Sequence, residues 1–177
     1  MKKLLIAVAI GFAAAISNAA VVNWNVMNIQ PSPAATSVEA GWLVQIYSAD
    51  TVFSYEAAKA GTITALDSAT SVASGTIFKA SGSFGDYAKN AAVNTYAVVF
   101  DAATVDAAKY YIVSAEVDKN INAAGSDLTL GFGNMASTAT SNTFRNSSWT
   151  AAAVPEPTSG LLLLLGMAGL ALKRKRA

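Results

Sequence analysis

Apolar side chains in the middle of this chain recur at every second position in short runs, and nowhere keep the spacing of an amphipathic helix over three turns. Val22, Trp24 and Val26 alternate with Asn23, Asn25 and Met27, and Trp42, Val44 and Ile46 alternate with Leu43, Gln45 and Tyr47. Leu128, Leu130 and Phe132 alternate with Thr129, Gly131 and Gly133. A period of two sends successive side chains to opposite faces of an extended backbone, the pattern of a half-buried strand. Such runs, separated by Ser, Thr, Asn and Gly, predict an all-β fold. They fit a single antiparallel β-sandwich or jelly-roll-like domain of seven or eight short strands over residues 20–150. A parallel α/β fold does not fit, because the covering helices are missing.

Several boundaries follow from local chemistry. Gln30, Pro31, Ser32 and Pro33 end the first strand. Ser48, Ala49 and Asp50 make a tight connection to a strand at 51–55, which predicts a hairpin. Residues 56–61 suit one helical turn ended by Gly61. The Thr- and Ser-rich stretch 62–74 reads as loop with a weak strand, 76–80 as strand and 82–90 as loop. The clearest pair of strands is 95–100 and 110–117, with a short helix expected at 105–108 between them. Residues 143–149 are expected to close the fold. Residues 151–159 offer little side chain to pack and read as a linker.

The two ends are of another kind. Met1, Lys2 and Lys3 precede an uncharged apolar run at 4–16, and Ser17, Asn18 and Ala19 follow with small residues at the required positions. This is the layout of a helical signal peptide over 1–19, cleaved after Ala19, or alternatively after Ala20, by signal peptidase at the secretion translocon. At the other end Pro155 and Pro157 lack backbone donors and disfavour helix in the residue before each, so 154–158 is expected to be extended and exposed. An extended segment is what a processing enzyme threads through its active site. Residues 160–172 carry no charge and would make an apolar helix of roughly 20 Å, short of the ~30 Å hydrocarbon core. Lys173, Arg174, Lys175 and Arg176 then supply a basic stop that favours the cytoplasmic side and snorkels to the interface. The expectation is a transient anchor in the inner membrane.

Val154, Pro155, Glu156 and Pro157, an apolar stretch and a basic end together resemble the PEP-CTERM sorting signal. The resemblance covers only the end of the chain, within 151–177. It implies export across the inner membrane of a Gram-negative bacterium and cleavage by an exosortase. It also implies final association with the cell surface or the extracellular polysaccharide matrix. A Gram-positive sortase signal fits less well, since no Leu-Pro-x-Thr-Gly is present.

Between the ends the chain holds no cysteine and no histidine. No disulfide can staple the domain, so packing must hold it. Ser-His and Cys-His nucleophiles and the usual zinc, copper and haem ligand sets are also excluded. From residue 20 to 153 six basic residues stand against ten acidic ones, a balance that argues against a nucleic-acid partner. No cofactor is expected, and the expected role is structural rather than enzymatic.

Four local patterns suggest binding or chemistry. Asp118, Asn120, Asn122 and Asp127 place oxygen ligands as in the start of a calcium loop, but Ala123 and Thr129 stand where such a loop needs glycine and glutamate; polar turn chemistry is the simpler reading. Gly131, Gly133 and Ala136 match a dinucleotide pattern after a strand, with no helix to follow, so a bulge or turn is simpler. Glu39, Glu56 and Glu116 are carboxylates for a glycosidase pair, although no spacing selects two of them. Trp24, Trp42 and Trp149 and the tyrosines have faces on which sugar rings stack; Trp24 and Trp42 fall on core positions, leaving Tyr47 and Tyr110 as the outward candidates. A carbohydrate-binding or adhesive module is the alternative function.

Overall fold

Ten strands and one short helix form within residues 19–152, the part of the chain that the computed structural model describes. In chain order they are β1 (Ala20–Met27), β2 (Leu43–Ser48), α1 (Tyr55–Lys59), β3 (Asp67–Thr70), β4 (Val72–Ser74), β5 (Ile77–Tyr87), β6 (Ala92–Phe100), β7 (Tyr110–Val113), β8 (Val117–Asn120), β9 (Leu128–Asn134) and β10 (Thr150–Ala151). The expected helices at 1–19 and 160–172 lie outside the described residues.

The strands make two sheets. One has four strands in the order β4-β5-β1-β9; the other has six, β10-β7-β6-β2-β3, with β8 also paired to β6. The fold is all-β, as the alternation predicts, but not purely antiparallel. β1 and β9 run parallel, with Val22 opposite Leu128 and Trp24 opposite Leu130. A parallel pair needs a long connection, and nearly the whole body separates these two strands.

The alternating residues meet where they were expected to. Val22, Trp24 and Val26 of β1, Val44 and Ile46 of β2, Val93, Ala97 and Val99 of β6, and Leu130 and Phe132 of β9 join one buried cluster fed by both sheets. The six-stranded sheet is covered on its other face as well. There Tyr96, Val98 and Phe100 of β6 meet Tyr47, Tyr55 and Ala108 in a second cluster. Thr95 to Phe100 is therefore a continuous buried run, as a strand between two covered faces requires.

That second layer explains the first correction. A turn does follow Ser48, whose carbonyl accepts from the Thr51 N–H at 3.0 Å, but 51–55 is not a hairpin strand. β2 already has β6 on one side and β3 on the other, so no edge is free. The chain crosses the outer face instead, and Phe53 lands among Tyr47, Phe100 and Tyr111. The helical turn follows as α1, with Ser54 as its N-cap and Gly61 at φ +68 just beyond it, a conformation that favours glycine.

Other departures have local causes. The stretch 62–74 holds β3 and β4 rather than one weak strand. The chain passes between sheets at Ser71, which is 1% exposed and fully hydrogen-bonded. Its N–H donates to the Trp42 carbonyl at 2.7 Å and its carbonyl accepts from the Gly41 N–H at 2.8 Å. Its hydroxyl accepts from the Trp42 N–H at 3.0 Å and donates to the Glu39 carbonyl at 3.1 Å. β5 continues through 82–87, where a loop was expected. Gly82 sits in it because a side chain there would meet the Trp24 indole and the Asp67 carboxylate. Those two groups are hydrogen-bonded, Trp24 Nε1 to Asp67 Oδ2 at 2.6 Å, and tie one sheet to the other.

Residues 105–108 make a turn, not a helix. The strand expected at 110–117 is broken into β7 and β8 by Ser114, whose hydroxyl accepts from the Ala97 N–H at 2.9 Å in place of a ladder bond. Residues 143–149 are turns and irregular backbone. The Asn142 amide donates to the Ser137 carbonyl at 2.6 Å, while its oxygen accepts from the Phe144 N–H at 3.1 Å; such side-chain bonds compete with a ladder. The closing strand is β10, paired with β7 through Thr150–Tyr111 and Ala151–Tyr110. Ala152 is 3% exposed and its N–H donates to the Lys109 carbonyl at 2.8 Å, so packing runs two residues past position 150.

Two substitutions test this arrangement. Ser71→Ala leaves the buried Trp42 N–H without an acceptor and is expected to cost about 1–3 kcal/mol by denaturant titration; an unchanged midpoint would contradict the corner described here. Thr95, 1% exposed, carries a hydroxyl with no partner. Thr95→Val is expected to stabilise by about 1 kcal/mol, and no gain would mean that a water satisfies the hydroxyl.

Candidate functional site

A cleft of about 360 Å³ opens where two loops flank the start of β2. One wall is the connection after β1, contributing Ala34, Ala35, Thr36, Ser37 and Glu39; the other carries Asp101, Ala107 and Lys109 between β6 and β7; Trp42 lies between them. The walls are tied together. Ser32, 3% exposed between two φ-restricting prolines, donates its hydroxyl to Asp101 Oδ2 at 2.8 Å. Asp101 Oδ1 accepts from the N–H groups of Lys109 and Tyr110, at 2.8 and 2.9 Å. This carboxylate closes the loop and holds the first wall, which explains its place at the end of β6. Trp42 is 6% exposed and packs edge-on against half-buried Trp149, with ring centroids 5.9 Å apart. Glu39, Thr36, Ser37 and Lys109 are exposed side chains around this floor.

The residues singled out from sequence are placed differently. Tyr47 is not an outward sugar platform. It is 1% exposed, stacked on Tyr96 at 5.7 Å, and its hydroxyl donates to Gln45 Oε1 at 2.7 Å. Alternation assigns Tyr47 to the face opposite Ile46, but that face is covered by Phe53 and its loop. Tyr110 is half-buried on β7 and belongs to neither apolar cluster.

Asp118 and Asn120 stand on the exposed strand β8, so the expected calcium loop does not begin as a loop. Asn122 Oδ1 accepts from the Ser126 N–H at 3.0 Å, and Asp127 Oδ1 from the Val21 N–H at 2.9 Å. These are turn and strand-end bonds of the kind that explain Asn and Asp without a metal. Among the described residues no three His, Cys, Asp or Glu side chains cluster to hold a metal ion.

Gly131 and Gly133 lie within β9. The register against β1 slips there, Asn25 opposite Gly131 and Met27 opposite Asn134, and Gly133 has φ +90 with Asn142 packed against it. This is a bulge. Glu39, Glu56 and Glu116 are dispersed: the first at the cleft, the second in the first turn of α1, the third near Asn94 beside β8. Ala19 is exposed ahead of β1, while Ala20 is buried and pairs with Tyr87. Val154, Pro155, Glu156, Pro157, Lys173, Arg174, Lys175 and Arg176 lie outside the described residues.

Fold and cleft together define an all-β, two-sheet body with a polar cleft and no disulfide. Residues 153–176 match the family described as the PEP-CTERM protein-sorting motif. The chain thus carries that motif at its C-terminal end, which implies export, membrane-associated sorting and processing by exosortase. No curated protein and no solved structure matches the chain. Among the described residues no helix is long and apolar enough to cross a membrane.

The aromatic layer has a measurable signature. Burial, and after it the neighbouring Tyr96, pushes the Tyr47 hydroxyl up to about 12. Burial likewise raises Tyr55, Tyr87 and Tyr96. The raised value means that the fold favours the neutral phenol. This stability is complete below the unfolded value of about 10 and is lost as pH rises through about 12. Alkaline titration by phenolate absorbance is expected to show a late step that Tyr47→Phe removes. Ionisation of all six tyrosines in one ordinary step would contradict the buried layer.

Proposed function

We propose that the chain is an exported surface or extracellular-matrix protein of a Gram-negative bacterium, processed by exosortase, whose β-sandwich body has a structural rather than catalytic role. The observation that carries this reading is the sorting motif at 153–176. The segments 1–19 and 160–176 then act as targeting sequences. Signal peptidase removes the first after Ala19 or Ala20, and the basic end holds the second in the inner membrane until exosortase acts at Val154, Pro155, Glu156 and Pro157.

A structural role is supported by how the body uses its acids. Asp67 joins the two sheets, Asp101 closes a loop and ties two walls, and Asp127 pins the start of β1. A polysaccharide hydrolase needs two carboxylates free for chemistry. Of the two that line the cleft, Asp101 accepts from three donors within its own loops, which leaves Glu39 without a working partner.

Intact mass of the protein recovered from the cell surface tests the processing reading. The expected mature form lacks residues 1–19 and the segment from 160 onward, and replacing Pro155 and Pro157 with alanine should retain the tail. A full-length cytosolic protein, or a surface form still carrying Lys173, Arg174, Lys175 and Arg176, would contradict it.

A further inference from the structure

We propose that the cleft over Trp42 binds an uncharged hexose unit of a saccharide. Its volume of about 360 Å³ lies at the small end of the range for small-molecule sites, about 300–1,000 Å³, which suits one or two sugar rings. Its surface has both chemistries that a pyranose presents. Trp42 and the methyl groups of Ala34 and Ala107 offer apolar contact to the C–H groups of a ring. Glu39 brings an acceptor, Lys109 a donor, and Ser37 a hydroxyl that does both.

Charge selects within the saccharides. The lining carries two carboxylates, Glu39 and Asp101, and one ammonium, Lys109. An anionic sugar would meet net repulsion, whereas the hydroxyls of a neutral sugar can donate to Glu39 or accept from Lys109 without it. Rigidity favours binding too. The Ser32–Asp101 bond, Pro31 and Pro33 hold the walls in place before a ligand arrives, so little ordering is required. Asp101 is a positioning residue here, since its oxygens are occupied by Ser32, Lys109 and Tyr110. The assignment is independent of tail processing and holds whether or not the tail is cleaved.

The test titrates the full chain, purified in detergent, with glucose, galactose, mannose and their neutral homopolymers, read by calorimetry and tryptophan fluorescence. Saturable binding of at least one neutral sugar is expected. Glu39→Gln and Lys109→Met alter exposed side chains only, because Lys109 meets Asp101 and Ala152 through its backbone. Each is expected to weaken binding about ten-fold or more, the loss of one charge-assisted hydrogen bond, with unchanged circular dichroism. Lys89→Met, on the exposed connection before β6, should bind as the parent does. The proposal is overturned if no neutral sugar binds saturably, if neither cleft variant weakens binding, or if a uronate polymer binds more tightly than every neutral one.

Discussion

The structure depends on β6 being buried on both faces. Val93, Ala97 and Val99 enter the cluster shared by the two sheets, and Tyr96, Val98 and Phe100 enter the aromatic layer behind. A strand dry on both sides needs a cover on both sides, and only one cover is a sheet. The other is made from the long connections at 49–66 and 101–109 together with α1. Those loops carry polar backbone against an apolar layer, and the tyrosine hydroxyls satisfy part of it. Tyr55 donates to the Val105 carbonyl at 2.8 Å and Tyr96 to the Thr51 carbonyl at 2.6 Å. With no disulfide available, these contacts are what fix the loops.

The same constraint decides what the sequence alone can reveal. Alternation identifies strands whose faces differ, and β1, β2 and β9 announce themselves through Trp24, Val44 and Leu130. It says which residues share a face, but not whether that face is wet. Tyr47 is the instance: its side of β2 is correctly separated from Ile46, yet a loop distant in sequence buries it. Gly82 is the converse. Glycine inside a run of small polar residues reads as a turn, and only the Trp24–Asp67 pair, brought from two other strands, explains why an uninterrupted strand needs it. Residues 143–149 do not close the fold because Asn142 bonds locally, and the strand that pairs with the other side of β7 is only two residues long.

The cleft was less legible still. Trp42 belongs to the core by its alternation, and it is buried, but it also lines the cleft. Glu39 and Lys109 sit in irregular loops without periodicity, so nothing in their spacing brings them together. What could have flagged the place is Pro31-Ser32-Pro33: a serine locked between two prolines is an unusual expense of conformational freedom unless its hydroxyl has a fixed task. Here that task is to hold Asp101. By contrast the C-terminal motif is local chemistry throughout, and a contiguous pattern of residues was enough to find it.

β1 stands in the middle of its sheet, between β5 and β9. It is the earliest strand of the body, yet one neighbour comes some fifty residues later and the other about a hundred, separations that slow folding by raising contact order. For an exported chain the order of arrival then matters. The first segment to emerge has nothing to zip onto until β5 follows, and its second neighbour, β9, arrives only in the last third, so this sheet is completed only once nearly all of the body has reached the far side.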